Sequence, residues 1–193
     1  MLITITDGFI PGTVIRRSDA AGSTGAEFLE KVFFATDKIM LSRIRKITGI
    51  DGSTLQNWTR RGWVENPVSK KYDADQLARI LILNMLRDSM RLDRIVFLIS
   101  YINGRLYDFN DSIVRDSVLY DCLCKTLDVP ALDLDEKQGK LRRTVEAVTG
   151  RLKGLPSDTL ERLKDAVETL AVTYCAAVIK HRADGMADRL INP

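Results

Sequence analysis

The stretch between Leu41 and Gly62 has the most restrictive apolar spacing in this chain. Six apolar residues recur in it at intervals of three to five positions: Leu41, Ile44, Ile47, Ile50, Leu55 and Trp58. Two short helices joined by a tight glycine-containing turn would bury this set between them, with Ile50 in the turn. The first helix must stop at Thr48-Gly49, and Ser53 or Thr54 is expected to cap the second. The spacing predicts a helix-turn-helix arrangement, although a helical hairpin inside a larger helical domain would share it.

The second of these helices has a polar outward face once its two apolar residues are buried. That face consists of Thr54, Gln56, Asn57, Arg60 and Arg61. Gln and Asn side chains pair with adenine edges and Arg pairs with guanine, and the major groove of DNA admits a helix. The first helix adds three cations that suit contact with phosphates: Arg43, Arg45 and Lys46. These residue types predict a surface that binds double-stranded DNA.

Charge is distributed unevenly along the chain, although the formal net charge is only +3. Residues 38–72 contain eight basic residues and two acidic ones, whereas residues 108–136 contain eight acidic residues and two basic ones. A basic module followed by an acidic helical part suits a polyanionic partner. Chance segregation of charge on solvated faces explains the charge pattern equally well when nothing else is considered.

The rest of the chain has the apolar periodicity of helices, so the predicted fold class is mainly α. Helices are predicted over about 25–36, from Asp73 or Asp75, from about Leu92 to Asn103-Gly104, and over about 111–127, 136–153 and 157–184. Asp158 is expected to cap the last of them, with Glu161 three positions on. Residues 2–17 indicate a small hairpin or an extended arm, and residues 18–25 a linker.

The residues after the two short helices form a recognisable series. Gly62-Trp63 ends the second helix, and Pro67, Lys70-Lys71 and Tyr72 follow it. This series resembles the winged helix-turn-helix of MerR-type regulators, in which a Gly-hydrophobic pair ends the recognition helix and a basic, Pro-containing wing closes on a Tyr. Residues 78–95 are similar to that family's two supporting helices. The resemblance implies that Lys70, Lys71 and Tyr72 join the helix residues in binding DNA.

The chain also resembles an uncharacterised bacterial family, a domain of unknown function with such a MerR-like core, over about 25–127. It departs from the MerR pattern in three ways. Only nine residues separate Gly62 from Tyr72, Lys-Lys-Tyr replaces the wing's Gly-Tyr-Arg, and Asn57-Trp58 stands where Arg-Tyr is common. Several shorter helices also follow Asn103-Gly104, so the resemblance does not extend to the effector mechanism of MerR-type regulators.

Catalytic, nucleotide-binding and metal-binding sequence motifs are missing from the chain. His181 is its single histidine and is expected at the surface or in packing. Cys122, Cys124 and Cys175 are expected to be buried thiols, and their odd number favours a reducing cytoplasm. No apolar run in the sequence approaches the roughly 20 residues of a membrane span. We expect a cytoplasmic protein that is not an enzyme, with no metal, cofactor or membrane partner.

The last predicted helix has an apolar stripe of its own. Its residues recur at intervals of three and four: Leu160, Leu163, Val167, Leu170, Tyr174, Ala177 and His181. An a/d seam of about three heptads is enough to pair two chains, and a helix packed on its own domain has the same stripe. DNA-binding proteins with this motif commonly recognise symmetric sites as dimers. We expect a homodimer, formed by this seam or by another surface.

The sequence therefore predicts three regions. Residues 1–24 form an N-terminal arm or small hairpin, residues 25–104 a MerR-like helix-turn-helix module, and residues 105–193 a helical part for dimerisation or ligand sensing. The predicted function is sequence-specific DNA binding by a transcriptional regulator. The alternative is a helical protein–protein interaction module that uses the same fold without binding DNA. A small-molecule effector is compatible with this organisation, but no motif indicates one.

Overall fold

The computed structural model describes residues 2–3, 8–102, 113–129, 132–134 and 139–191. Its described part is mainly helical, which confirms the predicted fold class at that level. Eight α-helices are present there: α1 Gly25–Phe33, α2 Leu41–Thr48, α3 Gly52–Arg60, α4 Ala74–Leu86, α5 Leu92–Ile102, α6 Asp116–Leu127, α7 Lys140–Thr149 and α8 Ser157–Ile191. Predicted helix residues 111–112 and 136–138 lie outside the described residues.

Within the described ranges, four two-residue strands form two small antiparallel pairs. β1 (Leu2–Ile3) pairs with β4 (Leu132–Asp133), and β2 (Ile39–Met40) pairs with β3 (Lys71–Tyr72). The second pair sets Ile39 opposite Tyr72 and Met40 opposite Lys71. It therefore joins the chain just before α2 to the chain just before α4, with α2 and α3 held between them.

Helix α4 forms the centre of the core. Ten of its 13 residues are buried, as expected for a helix that has neighbours on all sides. It packs against α1, α2, α5, α6 and α8. Asp73 caps it through a capping box, in which Gln76 N–H donates to Asp73 and Gln76 Oε1 accepts from the Asp73 backbone, both at 3.0 Å. Of the two predicted starts, Asp73 is confirmed as the cap.

A buried ion pair joins α4 to α6. Arg79 donates from Nε and Nη2 to the two carboxylate oxygens of Asp116, at 2.6 and 3.0 Å. Both side chains are almost fully buried. Burial raises the pKa of Asp116, and the facing guanidinium opposes that shift. This pair makes the packing of α6 depend on α4.

The N-terminal segment closes on the core through a turn rather than extending as an arm. Ile10 N–H donates to Ile15 O at 3.0 Å, and Arg17 N–H donates to Gly8 O at 2.8 Å. Ile10 is fully buried, and the buried Tyr120 hydroxyl donates to Pro11 O at 2.8 Å. The predicted linker begins with a short 3₁₀ helix, Arg17–Ala20.

Helix α8 starts where predicted but is longer, and its predicted cap is wrong. It begins at Ser157, where Leu160 N–H donates to Pro156 O at 2.9 Å. The proposed cap, Asp158, lies inside the first turn and pairs with Arg162 at 3.0 Å. The predicted stripe is buried against the chain's own core at Leu163, Val167, Leu170, Tyr174 and Ala177. Of the two readings of that stripe, packing on its own domain is therefore correct.

Candidate nucleic-acid interface

Helices α2 and α3 pack against each other as the apolar spacing predicts. Ile44, Ile47, Ile50, Leu55 and Trp58 are all buried, and Leu41 packs at the edge of the same core. Residues 49–51 join the two helices, and Gly49 has a φ of +70°, a left-handed conformation that glycine adopts without strain. A Cβ on Gly49 would meet Val14 Cγ1 at 2.8 Å. The turn is therefore tight and covered by the N-terminal segment.

The cap of α3 is Asp51, and the predicted cap at Ser53 or Thr54 is wrong. Asp51 accepts hydrogen bonds from the Thr54 N–H at 2.8 Å, from the Thr54 hydroxyl at 2.9 Å and from the Ser53 hydroxyl. These bonds, that from Ser53 first, hold the pKa of Asp51 well below its ordinary value. A fixed negative charge thus stands at the start of α3, and the Thr54 hydroxyl is already engaged.

The outward face of α3 is exposed, as predicted. Gln56, Asn57 and Arg60 are exposed, whereas Thr54 is half-buried. Arg61 follows the last turn of α3, and its Nε donates to Asn57 Oδ1 at 3.3 Å. Its guanidinium also lies 5.0 Å from the centroid of the Trp63 ring, within cation–π range. Asn57 and Arg61 are therefore held in place, and sequence reasoning missed the contribution of Trp63.

A tight hairpin turn follows α3. Val68 and Lys71 form an antiparallel bridge, and the Lys71 N–H donates to Val68 O at 3.1 Å. Ser69 and Lys70, the two residues between them, have φ values of 54° and 62°, which define a type I′ turn. Residues 68–71 are called the 68–71 hairpin below. Lys70 and Lys71 are exposed on it, whereas the Tyr72 side chain is only 5% exposed.

Tyr72 therefore differs from the other members of the predicted DNA-binding set. Its burial raises the pKa of its hydroxyl, and its ring packs in the core beneath the β2–β3 pair. The resemblance to MerR-type regulators implied that Tyr72 binds DNA, but its main role in this fold is packing. Tyr72 is therefore not part of the proposed contact surface.

A groove of about 650 Å³ lies between α3 and the 68–71 hairpin and is called the α3 groove below. It is lined by Met40, Leu41, Ser42, Gln56, Thr59, Arg60, Asn66, Pro67, Lys70 and Tyr72. The structure thus brings together four members of the predicted set: Gln56, Arg60, Lys70 and the mostly buried Tyr72. Arg43, Arg45 and Lys46 lie on α2, exposed and outside the lining. Ser42, Thr59 and Asn66 were missed, because nothing in their spacing separates them from ordinary surface residues.

The cations of residues 38–72, called the basic segment below, are without ionic partners inside the described part of the chain. Its members are Lys38, Arg43, Arg45, Lys46, Arg60, Arg61, Lys70 and Lys71. None of them forms an ion pair with a described carboxylate. The two acidic residues of the same segment do not form ion pairs with these described cations, because Asp51 caps α3 and Glu65 is half-buried. The surface of α2, α3 and the hairpin therefore has an unbalanced positive charge.

The helices of this region lie within a stretch of sequence that matches a protein family of unknown function. Residues 28–122 match the model of a domain of unknown function, DUF1836. The match runs from α1 through the basic segment to the middle of α6. It confirms the expectation of an uncharacterised domain over about 25–127, while the MerR-like core stays a prediction. No curated protein and no solved structure matches the chain.

The acidic residues of 108–136 are called the acidic block below. Those that the structure describes are engaged in ion pairs. Asp116 pairs with Arg79, Asp121 with Lys125, Asp128 with Arg17 and Asp133 with Lys140. Asp121 also accepts a hydrogen bond from the Ala26 N–H at 2.9 Å. Asp108, Asp111, Asp135 and Glu136 lie outside the described residues. The described members of the block hold the fold together instead of forming an acidic surface.

The remaining candidate residues have structural surroundings. All three cysteines are buried, as expected, and burial raises the pKa of Cys122 and Cys124 to about 12 and that of Cys175 to about 11. His181 is exposed, and its Nε2 lies 3.3 Å from Asp88 Oδ2. Among the described residues, no group of three His, Cys, Asp or Glu side chains is arranged to hold a metal ion. No described helix is long and apolar enough to cross a membrane.

Two cavities adjoin α8 and bear on the predicted ligand-sensing role. One, of about 700 Å³, lies between the N-terminal turn, the end of α2, the end of α4 and α8. Asn84 lines it and donates from Nδ2 to Gly12 O at 2.9 Å and to Thr48 O at 3.0 Å, tying α4 to the end of α2. The other, of about 680 Å³, lies between α7 and α8 beside Arg142. Ligand sensing stays a prediction.

Proposed function

We propose that this chain is a transcriptional regulator that binds double-stranded DNA, with α2, α3 and the 68–71 hairpin acting as a MerR-like winged helix-turn-helix. The α3 groove carries the proposal, because Gln56 and Arg60 of α3 share it with Lys70 of the hairpin. The Gln56 amide and the Arg60 guanidinium are groups that can hydrogen-bond to base edges, and the Lys70 ammonium can pair with the DNA phosphate backbone. The unpaired cations of the basic segment supply the field that attracts a polyanion.

The roles divide by position on the surface. Helix α3 enters the major groove, where Gln56 and Arg60 meet base edges and Asn57 is steadied by Arg61. Lys70 and Lys71 approach the backbone or the minor groove from the hairpin. Arg43, Arg45 and Lys46 of α2 contact phosphates, which look alike at every step of the duplex and add affinity without discrimination.

The cap of α3 determines which part of the helix reads the bases. A helix N-terminus ordinarily favours a phosphate, because its free N–H groups carry partial positive charge. Here the ionised Asp51 occupies that end and uses the N–H and hydroxyl of Thr54. Phosphates are therefore repelled from the start of α3, and base reading falls to residues 56–60. Thr54 takes a lesser part than the sequence suggested.

A protein partner is the second candidate. Two exposed apolar side chains flank the α3 groove: Met40 is 57% exposed and Val68 is 61% exposed. They suit a helical or extended peptide laid along the groove. The unpaired cations favour DNA over a neutral peptide, so DNA binding remains the main proposal.

A salt titration tests the proposal directly. If four to six cations meet phosphates, the logarithm of affinity for a random-sequence duplex should fall with the logarithm of salt at a slope of about −4 to −5 per protomer. The measurement is fluorescence anisotropy of the full chain from low to physiological salt. A flat response, or no binding at low salt, would overturn DNA binding and leave the peptide-binding alternative.

Matched variants make the test specific to the basic segment. Lys46→Ala with Lys71→Ala should reduce the slope by about two units, because each lysine releases about one counterion. Arg143→Ala with Arg151→Ala removes the same charge from two exposed positions, one in the first half of α7 and one just after it, and should leave the slope unchanged. Equal effects from the two pairs would show that net charge, not this surface, drives binding.

A further inference from the structure

Helix α8 carries a second apolar stripe on the side that faces away from its own core. Its last buried residue is Ala177, although the helix continues to Ile191. The stripe consists of Val172, Ala176, Ile179, Ala183, Met186 and Leu190, all of them exposed. Their spacing is four, three, four, three and four residues, the heptad pattern of paired helices. On the same side one turn earlier, Asp165 and Thr169 are polar, so the apolar character begins at Val172.

The size and position of this stripe indicate that something covers it. From Val172 to Leu190 it is about 28 Å long and about 10 Å wide, roughly 300 Å² on each chain. Patches of that size on a monomer commonly mark an interaction site. Its exposure rises along the helix, from 43% at Val172 to 84% at Leu190. A helix segment of this length is also only marginally stable in water without tertiary packing.

The charges beside the stripe distinguish the two orientations in which a second copy could pair. If two copies pair in parallel, each seam residue meets its own counterpart. Arg182 then faces Ala187 of the second copy, and Lys180 lies level with the uncharged, buried Cys175. No like charges then meet. The antiparallel register that covers the whole stripe sets Lys180 against Lys180 and Arg182 against Arg182, and such like-charge pairs at flanking positions oppose association.

We propose that the exposed stripe of α8 pairs in parallel with the same stripe of a second copy of this chain. The two-fold axis of a parallel pair runs along the helices, so both α3 grooves lie toward the same end of the dimer. Two half-sites on one duplex require such an arrangement, and this last step depends on the proposed DNA binding. The contact covers about 600 Å² in total, which is less than most specific interfaces bury, so the dimer should be weak and should form only as the concentration rises through the micromolar range.

Sedimentation of the full chain across micromolar concentrations tests the pairing. The mass should approach twice the monomer mass. Ile179→Lys with Met186→Lys should raise the dimer dissociation constant about tenfold or more, because both lysines enter the seam. His181→Lys with Asp188→Asn adds the same charge to the same turns off the seam and should leave the constant unchanged. A monomeric wild-type chain, or equal losses from both pairs of substitutions, would overturn the proposal.

A cross-linking experiment tests the orientation. Met186→Cys should form an intermolecular disulfide under mild oxidation, because a parallel pair brings the two positions together. Asp188→Cys, on the far side of the same turn, should cross-link far less, and the native cysteines are buried. Cross-linking that requires Ala176→Cys together with Met186→Cys would establish an antiparallel pair and overturn the proposal.

The two proposals fail in distinguishable ways. A monomer that still binds duplexes with the expected salt slope would overturn the α8 pairing and leave DNA binding intact. A dimer that cross-links through Met186→Cys and binds no DNA at low salt would do the reverse.

Discussion

Basic side chains have different surroundings in two parts of this molecule. The eight cations of the basic segment have no carboxylate partner among the described residues. From α6 to α8, by contrast, six Lys and Arg side chains form ion pairs: Lys125, Lys140, Arg142, Arg162, Lys164 and Lys180. In the first part the charge remains available to a partner, and in the second it is satisfied within the chain.

The difference teaches how to distinguish a functional cation from a structural one in this fold. Arg142 on α7 reaches Glu161 at 2.9 Å, Asp165 at 2.7 Å and Glu168 at 3.2 Å, all on α8. Those contacts, that with Asp165 first, raise the pKa of Arg142. Its removal should therefore affect folding, whereas removal of an unpaired cation such as Arg60 should affect binding alone.

The largest expected effect is on the buried pair between α4 and α6. Arg79→Met leaves the Asp116 carboxylate buried opposite an apolar side chain, and breaking a buried pair in this way costs about 3–5 kcal/mol of unfolding free energy. Urea unfolding followed by circular dichroism measures the loss. Arg79→Met with Asp116→Leu should recover most of it, because no charge is then left buried. A loss under about 1 kcal/mol would contradict this reading of the pair.

The stability loss of Arg79→Met should depend on pH in a defined direction. Burial raises the pKa of Asp116, and removal of Arg79 takes away the charge and the hydrogen bond that oppose that shift. A folded-state pKa above the unfolded value favours the native state while the group is protonated, and that advantage is lost as pH rises through the folded pKa. The loss in Arg79→Met should therefore be smaller at acidic pH than at pH 8. A loss that is the same at both pH values would contradict it.

The next largest effect separates base reading from phosphate contact. Arg60→Ala should reduce the preference for a duplex selected from a random pool over its scrambled version, by about 1–3 kcal/mol, because a bidentate base contact is lost. Lys46→Ala should weaken both duplexes by the same factor. Binding curves for the two duplexes give both quantities, and circular dichroism confirms folding. If Arg60→Ala also weakens both duplexes equally, α3 does not read bases through Arg60.

The smallest effect concerns the paired cations of α7. Arg142→Met should cost about 1 kcal/mol of unfolding free energy, because its partners are largely solvated and such pairs are individually weak. Arg143→Met, at the exposed neighbouring position without an ion pair, should cost little. The difference between the two should shrink at high salt, where solvated charges are screened. Equal losses would mean that the α7–α8 contacts do not depend on these ion pairs.

The local features of the fold were predictable where short-range spacing determines them. The apolar set from Ile44 to Trp58 specified both short helices and their turn, because burial of one face fixes the period. The start of α4 was predicted only as Asp73 or Asp75, and the capping box with Gln76 selects Asp73. The cap of α3 was misassigned by two or three residues, since Asp51, Ser53 and Thr54 are all good caps and only geometry selects one.

Long-range features of the site were less predictable. The stripe from Leu163 to Ala177 looks the same whether it packs inside the chain or between chains. The second stripe of α8, from Val172 to Leu190, is distinguished from the first by its exposure, and exposure is known only from the folded structure. The sequence showed that residues 108–136 are acidic but not that Asp116 and Asp128 are paired, because their partners Arg79 and Arg17 lie far away in sequence. The basic residues of α3 were predicted correctly as exposed, because Leu55 and Trp58 fix the opposite face.

The turn at residues 10–15 bears on how small a working version of this protein can be. Ile10 fills the core, Pro11 accepts the hydrogen bond of the buried Tyr120 hydroxyl, and Val14 N–H donates to Ile47 O at 2.9 Å. All of these residues except Tyr120 and Ile47 precede the span that matches the domain family. A fragment trimmed to residues 28–122 would lose the segment that covers the turn between α2 and α3, and the Tyr120 hydroxyl would lose Pro11 O as its acceptor. The segment that sequence comparison recognises is thus smaller than the segment that folds.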